Sequence, residues 1–192
     1  MSPKTTKYRQ QRVSYMLPPQ TSCLSIVNLC LRAGFVIAIL GLFGLAAISN
    51  AQEQPRISLS AGKIGISDSL DENNYLALEY LFPAKTRLRL TPALGLSVAE
   101  DGSFYVYADL KRHFRLSRHW LLTPSLGAGL YEGGDEVDLG HVVEFKSGLE
   151  LGYEFDNRLR LGLGFFHISN ASLSNNNPGT EILAGSISVP LP

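Results

Sequence analysis

Cysteine is scarce in this chain of 192 residues: it has only Cys23 and Cys30, both within the first 51 residues. Residues 52–192 therefore carry no thiol, which excludes disulfides, thiolate catalysis and cysteine-based metal sites from that part of the chain. No cysteine follows the apolar run at residues 33–48 either. A lipid-anchored lipoprotein is accordingly disfavoured.

Acidic residues are absent from the first 51 residues, where five of the 17 basic residues lie. All 17 acidic residues follow, together with the other 12 basic ones. The main part of the chain is thus mildly acidic. This balance argues against the basic surface that a nucleic-acid-binding protein needs, and we expect no nucleic-acid partner.

Long hydrophobic runs are also missing, since the apolar stretch at residues 33–48 is shorter than the roughly 20 residues of a membrane-spanning helix. The stretch follows a basic segment and precedes Ser49-Asn50-Ala51, small residues at the positions that a signal peptidase reads. We predict an N-terminal extension and signal peptide over residues 1–51 and one exported domain over residues 52–192. A membrane anchor is the alternative for the apolar stretch.

The exported part shows no useful helical period but alternates with period two in eight segments. These predicted strands are 56–66, 74–82, 88–98, 103–113, 120–130, 143–155, 158–169 and 180–189. In the sixth, one side carries Val143, Phe145, Leu149, Leu151, Tyr153 and Phe155, and the other side is charged. The first strand is ambiguous because its apolar positions change parity midway.

The connections between these strands alternate between short turns and longer polar loops. Residues 83–86, 115–118 and 156–157 are turn-like, whereas 67–73, 99–102, 132–141 and 170–179 are longer and polar. This pattern is typical of an eight-stranded antiparallel transmembrane β-barrel. Side chains just fill the interior of a barrel of this size, so we do not expect a pore.

A soluble eight-stranded calyx would alternate in the same way but with its apolar residues inside. Two features favour lipid outside. The charged set has both signs, as a plugged polar interior needs: Arg89, Asp109, Lys111, Glu150, Arg158 and Arg160. Aromatic residues near strand ends fit interfacial girdles: Tyr75, Phe82, Phe104, Trp120, Tyr131, Phe155 and Phe165.

Polar residues replace apolar ones at the end of the seventh predicted strand. His167 and Ser169 continue the side that carries Leu161, Leu163 and Phe165, and Glu181 begins the apolar side of the next strand. Residues i and i+2 share a strand face, so His167 can lean toward Ser169. A serine is a good nucleophile when a base takes its proton and a third group orients that base, as Glu181 could here.

The segment between these strands offers candidate donors for an oxyanion. Asn170 and Asn177 carry side-chain amides, and the turn at Ala171-Ser172 carries backbone N–H groups. Such donors stabilise the tetrahedral intermediate of acyl transfer. Serine, base, carboxylate and oxyanion donors together predict an esterase site on the outer wall of the barrel, near the cell exterior.

The same residues resemble a known family. His167-Ile168-Ser169-Asn170-Ala171, followed by Asn177-Pro178-Gly179 and Glu181, is similar to the C-terminal signature of the PagL-type lipid A 3-O-deacylases. These are eight-stranded outer-membrane barrels with an exterior-facing Ser-His-Glu triad. The chain departs from the family at Ser172, where other members often have glycine, which could alter a backbone donor.

The resemblance implies hydrolysis of the ester-linked 3-hydroxyacyl chain at position 3 of lipid A in the outer membrane. It implies Ser169 as nucleophile, His167 as base and then acid, Glu181 as the group that orients His167, and Asn177 as an oxyanion donor, with Asn170 holding the loop. We expect no cofactor and no metal. Lipopolysaccharide is the expected partner, and the sequence leaves a homodimer open.

Two other functions fit the same sequence less well. One is a non-enzymatic outer-membrane barrel whose loops serve adhesion or structure. The other is a soluble periplasmic calyx that binds an apolar ligand. Loss of a 3-hydroxyacyl chain from lipid A would separate the enzyme from both.

Overall fold

The structure, a computed structural model, describes residues 54–66, 72–84, 88–135 and 138–192. The predicted signal at residues 1–51 lies outside the described residues. Nine β-strands form: β1 (Arg56–Ile64), β2 (Asn73–Leu81), β3 (Leu90–Ala99), β4 (Phe104–Arg112), β5 (Phe114–Arg115), β6 (Trp120–Glu132), β7 (Val143–Glu154), β8 (Arg160–Ser169) and β9 (Thr180–Pro190). No helix among these residues is long and apolar enough to cross a membrane.

The strands close into a single antiparallel barrel. Neighbours in sequence pair from β1 to β4 and from β5 to β9, β9 returns to pair with β1, and β4 pairs with β6. The short β5 continues β4, because both pair with β6 in one register: Lys111 lies opposite Ser125 and Phe114 opposite Leu122. The gap between them lies beside Pro124, which has no N–H to give to the ladder. The predicted eight-stranded antiparallel barrel is confirmed.

The structure fixes which side of the alternation faces outward. Large apolar side chains are exposed all around the outer wall, with Leu94 at 54%, Leu130 at 61% and Leu163 at 59%. A continuous exposed apolar surface of this kind is the lipid-facing band of a membrane barrel. The calyx with its apolar residues inside is therefore wrong.

Charged residues and tyrosines fill the lumen. Lys146 Nζ lies 2.7 Å from Asp109 Oδ2 and 3.5 Å from Glu79 Oε1, and Lys111 forms a second ion pair with Glu79. Tyr107 donates a hydrogen bond of 3.0 Å to Glu79, and the Lys146 ammonium lies 3.4 Å from the centre of its ring. This network crosses the interior of the barrel, as expected for a charged lumen.

The structure corrects three details of the sequence-based prediction. Tyr75 and Tyr131 belong to the buried lumen cluster, at 6% and 5% exposure, and not to an interfacial girdle. Arg89 and Arg158 lie in turns before their strands, with positive φ, and not within the strands that face the lumen. In β1, Ile64 points into the lumen and is 3% exposed. The change of parity in the sequence therefore reflects an apolar residue on the lumen face and not an irregular strand.

The two longest connections lie at one end of the barrel. They are residues 133–142 and 170–179, and the first and last strands begin and finish at the other end. In outer-membrane barrels the longer loops face the cell exterior. The hairpin of β8 and β9 therefore places the segment 167–181 at the exterior rim.

Candidate active site

The β8 strand carries His167 and Ser169 on the outer wall. Its odd-numbered residues Leu161, Leu163 and Phe165 are 44%, 59% and 40% exposed, while Arg160 and Ile168 on the other parity are buried. Because the strand pairs regularly with both neighbours, His167 and Ser169 share the face of these apolar residues. The outward direction predicted for both side chains is what the structure shows.

Glu181 lies directly opposite His167 across the β8–β9 pair. His167 Nδ1 is 3.1 Å from Glu181 Oε1, within hydrogen-bonding distance. The two side chains are only 14% and 15% exposed. A carboxylate that accepts a hydrogen bond from Nδ1–H holds the imidazole in the tautomer that leaves Nε2 free to accept a proton.

Ser169 lies two residues beyond His167 on the same face, with Cα atoms about 6.6 Å apart in an extended strand. No hydrogen bond joins the Ser169 hydroxyl to the imidazole in the described part of the chain. Catalytic hydrogen bonds are often long in the absence of substrate and tighten when it binds. The structure thus brings Ser169, His167 and Glu181 to one patch of the wall, with the His–Glu contact already formed.

Asn170 anchors the loop that follows Ser169. It is fully buried, and its Nδ2 donates hydrogen bonds of 2.9 Å to the Leu139 carbonyl and 2.8 Å to the Asn176 carbonyl. It thereby joins loop 170–179 to the neighbouring loop 133–142. These two hydrogen bonds occupy the side-chain NH₂ group, so Asn170 is placed to hold the conformation of the loop.

Asn177 is oriented by a backbone donor. The Asn170 N–H donates to Asn177 Oδ1 over 3.0 Å. A backbone N–H can only donate, so the side-chain oxygen of Asn177 must face it and the NH₂ group must point elsewhere. The Asn177 amide is therefore available as a donor.

The turn after Asn170 is tight and partly strained. Ala171 and Ser172 have φ values of 52° and 67°, in the left-handed region that favours glycine. The Ser172 N–H donates to Asn170 Oδ1 over 3.0 Å, so it is already used within the turn. No hydrogen bond of the Ala171 N–H is found among the described residues. Of the two backbone donors expected here, Ala171 is the one left for an oxyanion.

Gly179 is part of the site, although no role of its own was predicted for it from the sequence. It has a φ of 68°, and a Cβ at this position would lie 2.9 Å from His167 Cε1 and 3.4 Å from Nε2. The backbone of Gly179 therefore forms one wall against the imidazole. Its position after Asn-Pro is the signal that could have indicated such a contact.

Ser147 was also missed. It lies on β7 directly opposite His167, on the outer face and between Phe145 and Leu149. Ser147, His167 and Glu181 thus form one row across three strands. The signal available in the sequence was a serine at an odd-numbered position of β7, where the neighbouring odd-numbered residues are apolar.

The model of the lipid A 3-O-deacylase (PagL) family matches residues 74–190. The chain belongs to the lipid A 3-O-deacylase family. Among solved structures, the outer membrane enzyme PagL matches with a TM-score of 0.55 and 18% identity, covering 71% of this chain and 99% of that one. Neisserial surface protein A (NspA) matches with a TM-score of 0.54 and 11% identity, covering 71% and 96%. A comparison with curated protein sequences finds no match.

Membership of the lipid A 3-O-deacylase family places this barrel in the outer membrane and makes it a lipid A deacylase, a hydrolase. The two solved structures support the barrel fold. The comparisons give no support to a homodimer. Among the described residues, no group of three or more His, Cys, Asp or Glu side chains is placed to share a metal ion.

Proposed function

We propose that this deacylase hydrolyses the ester-linked 3-hydroxyacyl chain at position 3 of lipid A, using Ser169, His167 and Glu181 on the lipid-facing wall. The observation that carries the proposal is the contact of 3.1 Å between His167 Nδ1 and Glu181 Oε1 at the exterior rim. A carboxylate within hydrogen-bonding distance of a histidine is unusual on a wall that otherwise meets lipid. Near the membrane interface such polar groups cost only about 0 to 1 kcal/mol.

The proposed reaction follows from these positions. Ser169 Oγ attacks the ester carbonyl while His167 Nε2 takes its proton, and Glu181 stabilises the imidazolium. The Asn177 side-chain amide and the Ala171 N–H donate to the oxyanion of the tetrahedral intermediate. Collapse of the intermediate releases the sugar hydroxyl, which receives the proton from His167. Water then attacks the acyl-enzyme with His167 again as base, and a free 3-hydroxy fatty acid leaves.

Mass spectrometry of lipid A tests this proposal. Lipid A from cells that produce the protein should lose the mass of one 3-hydroxyacyl chain, compared with lipid A from the same cells without it. Tandem fragmentation should assign the loss to position 3. Unchanged lipid A, with the folded barrel present in the outer membrane, would instead favour a barrel whose loops carry a non-enzymatic role.

Gly179→Ala should lower the deacylation rate by about 10²-fold, the effect of displacing a catalytic group by about 1 Å. The added methyl group would meet His167 Cε1 at 2.9 Å, and alanine is strained at the φ of 68°. Initial rates on purified lipid A in detergent micelles measure the effect. Heat-dependent mobility on a denaturing gel checks that the barrel still folds.

Gly185→Ala is the matched control for this substitution. Gly185 lies on β9, the strand that follows Gly179, and faces outward, but its Cβ would come no closer than 3.9 Å to any neighbour. We expect this variant to retain the wild-type rate. Equal activity of the two variants would show that Gly179 does not hold the imidazole in place.

A further inference from the structure

We propose that Ser147 reads the 3-hydroxyl group of the acyl chain and so makes the enzyme selective for 3-hydroxyacyl esters. This inference rests on the proposed function and adds a specificity-determining residue to it. Ser147 lies on β7, outside the hairpin that carries Ser169, His167 and Glu181.

Ser147 is a polar exception on an apolar wall. Its neighbours along β7 on the outer face are Phe145 and Leu149, and its partners across the strands are Leu126 and His167. These larger side chains surround the serine, which is only 5% exposed. Ser147 is therefore recessed among larger side chains on the lipid-facing wall, and we call these surroundings the Ser147 pit.

The Ser147 hydroxyl is available to a ligand. No hydrogen bond of its side chain is found in the described part of the chain, and the surrounding lipid offers few partners. A hydroxyl that faces lipid without a hydrogen-bond partner costs free energy, and a substrate group that bonds to it removes that cost. Apolar side chains would serve at this position if the wall had only to meet lipid.

The position of Ser147 relative to Ser169 matches the acyl chain. Ser147 is opposite His167, and Ser169 lies two residues further along β8, so the two serines are diagonal neighbours with Cα atoms about 7–8 Å apart. Ser147 is the one further from the loop end, which is deeper in the membrane. An acyl chain whose carbonyl carbon meets Ser169 and whose tail runs into the leaflet on the β7 side passes Ser147.

The chemistry of the chain fits this path. A 3-hydroxyacyl group carries its hydroxyl on the second carbon beyond the carbonyl carbon, on the part of the chain that first descends from Ser169. An unsubstituted acyl chain would leave the Ser147 hydroxyl without a partner in an apolar environment. Sites built to hydrogen-bond a substrate hydroxyl discriminate against analogues that lack it.

Two synthetic glycolipids test the proposal. Both are glucosamine 1-phosphates with the same amide-linked chain, and their 3-O-linked chain is either 3-hydroxymyristoyl or myristoyl. Measurement of kcat/KM in mixed micelles should show a preference of about tenfold for the hydroxylated ester with the wild-type enzyme, the effect of one hydrogen bond. Ser147→Ala should abolish the preference by slowing the hydroxylated ester, and Ser147→Thr, which keeps the hydroxyl, should retain it.

Leu149→Ala is the matched control, because Leu149 lines the same pit without a polar group. It should change both rates by the same factor and leave the preference intact. Equal wild-type rates on the two esters would overturn the role of Ser147 while leaving the proposed hydrolysis standing. So would a Ser147→Ala variant that slows both esters equally, since the hydroxyl would then act on His167. If the wild-type enzyme cleaves neither ester, the proposed function itself fails.

Discussion

Ser169→Ala is expected to stop lipid A deacylation, with a fall in rate of at least about 10³-fold, because alanine has no oxygen to form the acyl-enzyme. The remaining groups of the site could only help water to attack directly, which is a much weaker effect. The rate of release of 3-hydroxy fatty acid from purified lipid A measures the loss. The barrel itself should be unaffected, since Ser169 points outward from a regular strand.

Ser60→Ala is a suitable control for that experiment. Ser60 lies on β1 and faces the lumen, opposite the buried Ala77, far from the outer wall. The same chemical change there should leave the rate at the wild-type level. Substantial turnover by a folded Ser169→Ala variant would remove Ser169 as the nucleophile and require another group on the wall.

Glu181→Gln is expected to lower the rate by about 10⁴-fold, the effect of replacing the acidic member of such a triad by its amide. Glutamine has almost the same shape, but its NH₂ group can donate to His167 Nδ1, where the carboxylate can only accept. The imidazole would then carry its proton on Nε2 and could not take the proton of Ser169. Initial rates on lipid A, at equal amounts of folded enzyme, give the comparison.

Glu132→Gln isolates the effect of losing one negative charge at the exterior rim. Glu132 is an exposed residue at the loop end of β6 and is not part of the site. This variant should keep nearly full activity. If Glu181→Gln were equally active, the hydrogen bond of 3.1 Å to His167 would be structural and Glu181 would have no part in the reaction.

The strand pattern was readable from the sequence because outward and lumen-facing residues alternate strictly in a barrel. The sequence did not show which of the two alternating sets faces outward, since a calyx alternates with the same period. Tyr75 and Tyr131 were misplaced for a related reason: tyrosine suits both a membrane interface and a polar lumen, where its hydroxyl finds partners. Only the closed structure shows on which side of the wall each ring lies.

The sequence was sufficient to predict the part of the candidate site that lies within the hairpin of β8 and β9. Parity within β8 and β9 places His167, Ser169 and Glu181 on one face, and the register then sets His167 opposite Glu181. The alternation within β7 places Ser147 on the outer face, but its position opposite His167 depends on the register between β7 and β8, which no local pattern provides. The use of the Ser172 N–H inside its own turn depends on backbone angles, which the sequence does not specify.

The lumen blocked by the ion pairs of Glu79, Asp109, Lys111 and Lys146 has a consequence for how such an enzyme works. Side chains just fill the interior of a barrel of this size, so glycolipid and products exchange sideways between the wall and the surrounding leaflet. Encounters then occur by lateral diffusion in two dimensions. Turnover would be governed by the surface density of glycolipid around the protein, and the permeability barrier of the cell would stay intact while the enzyme works.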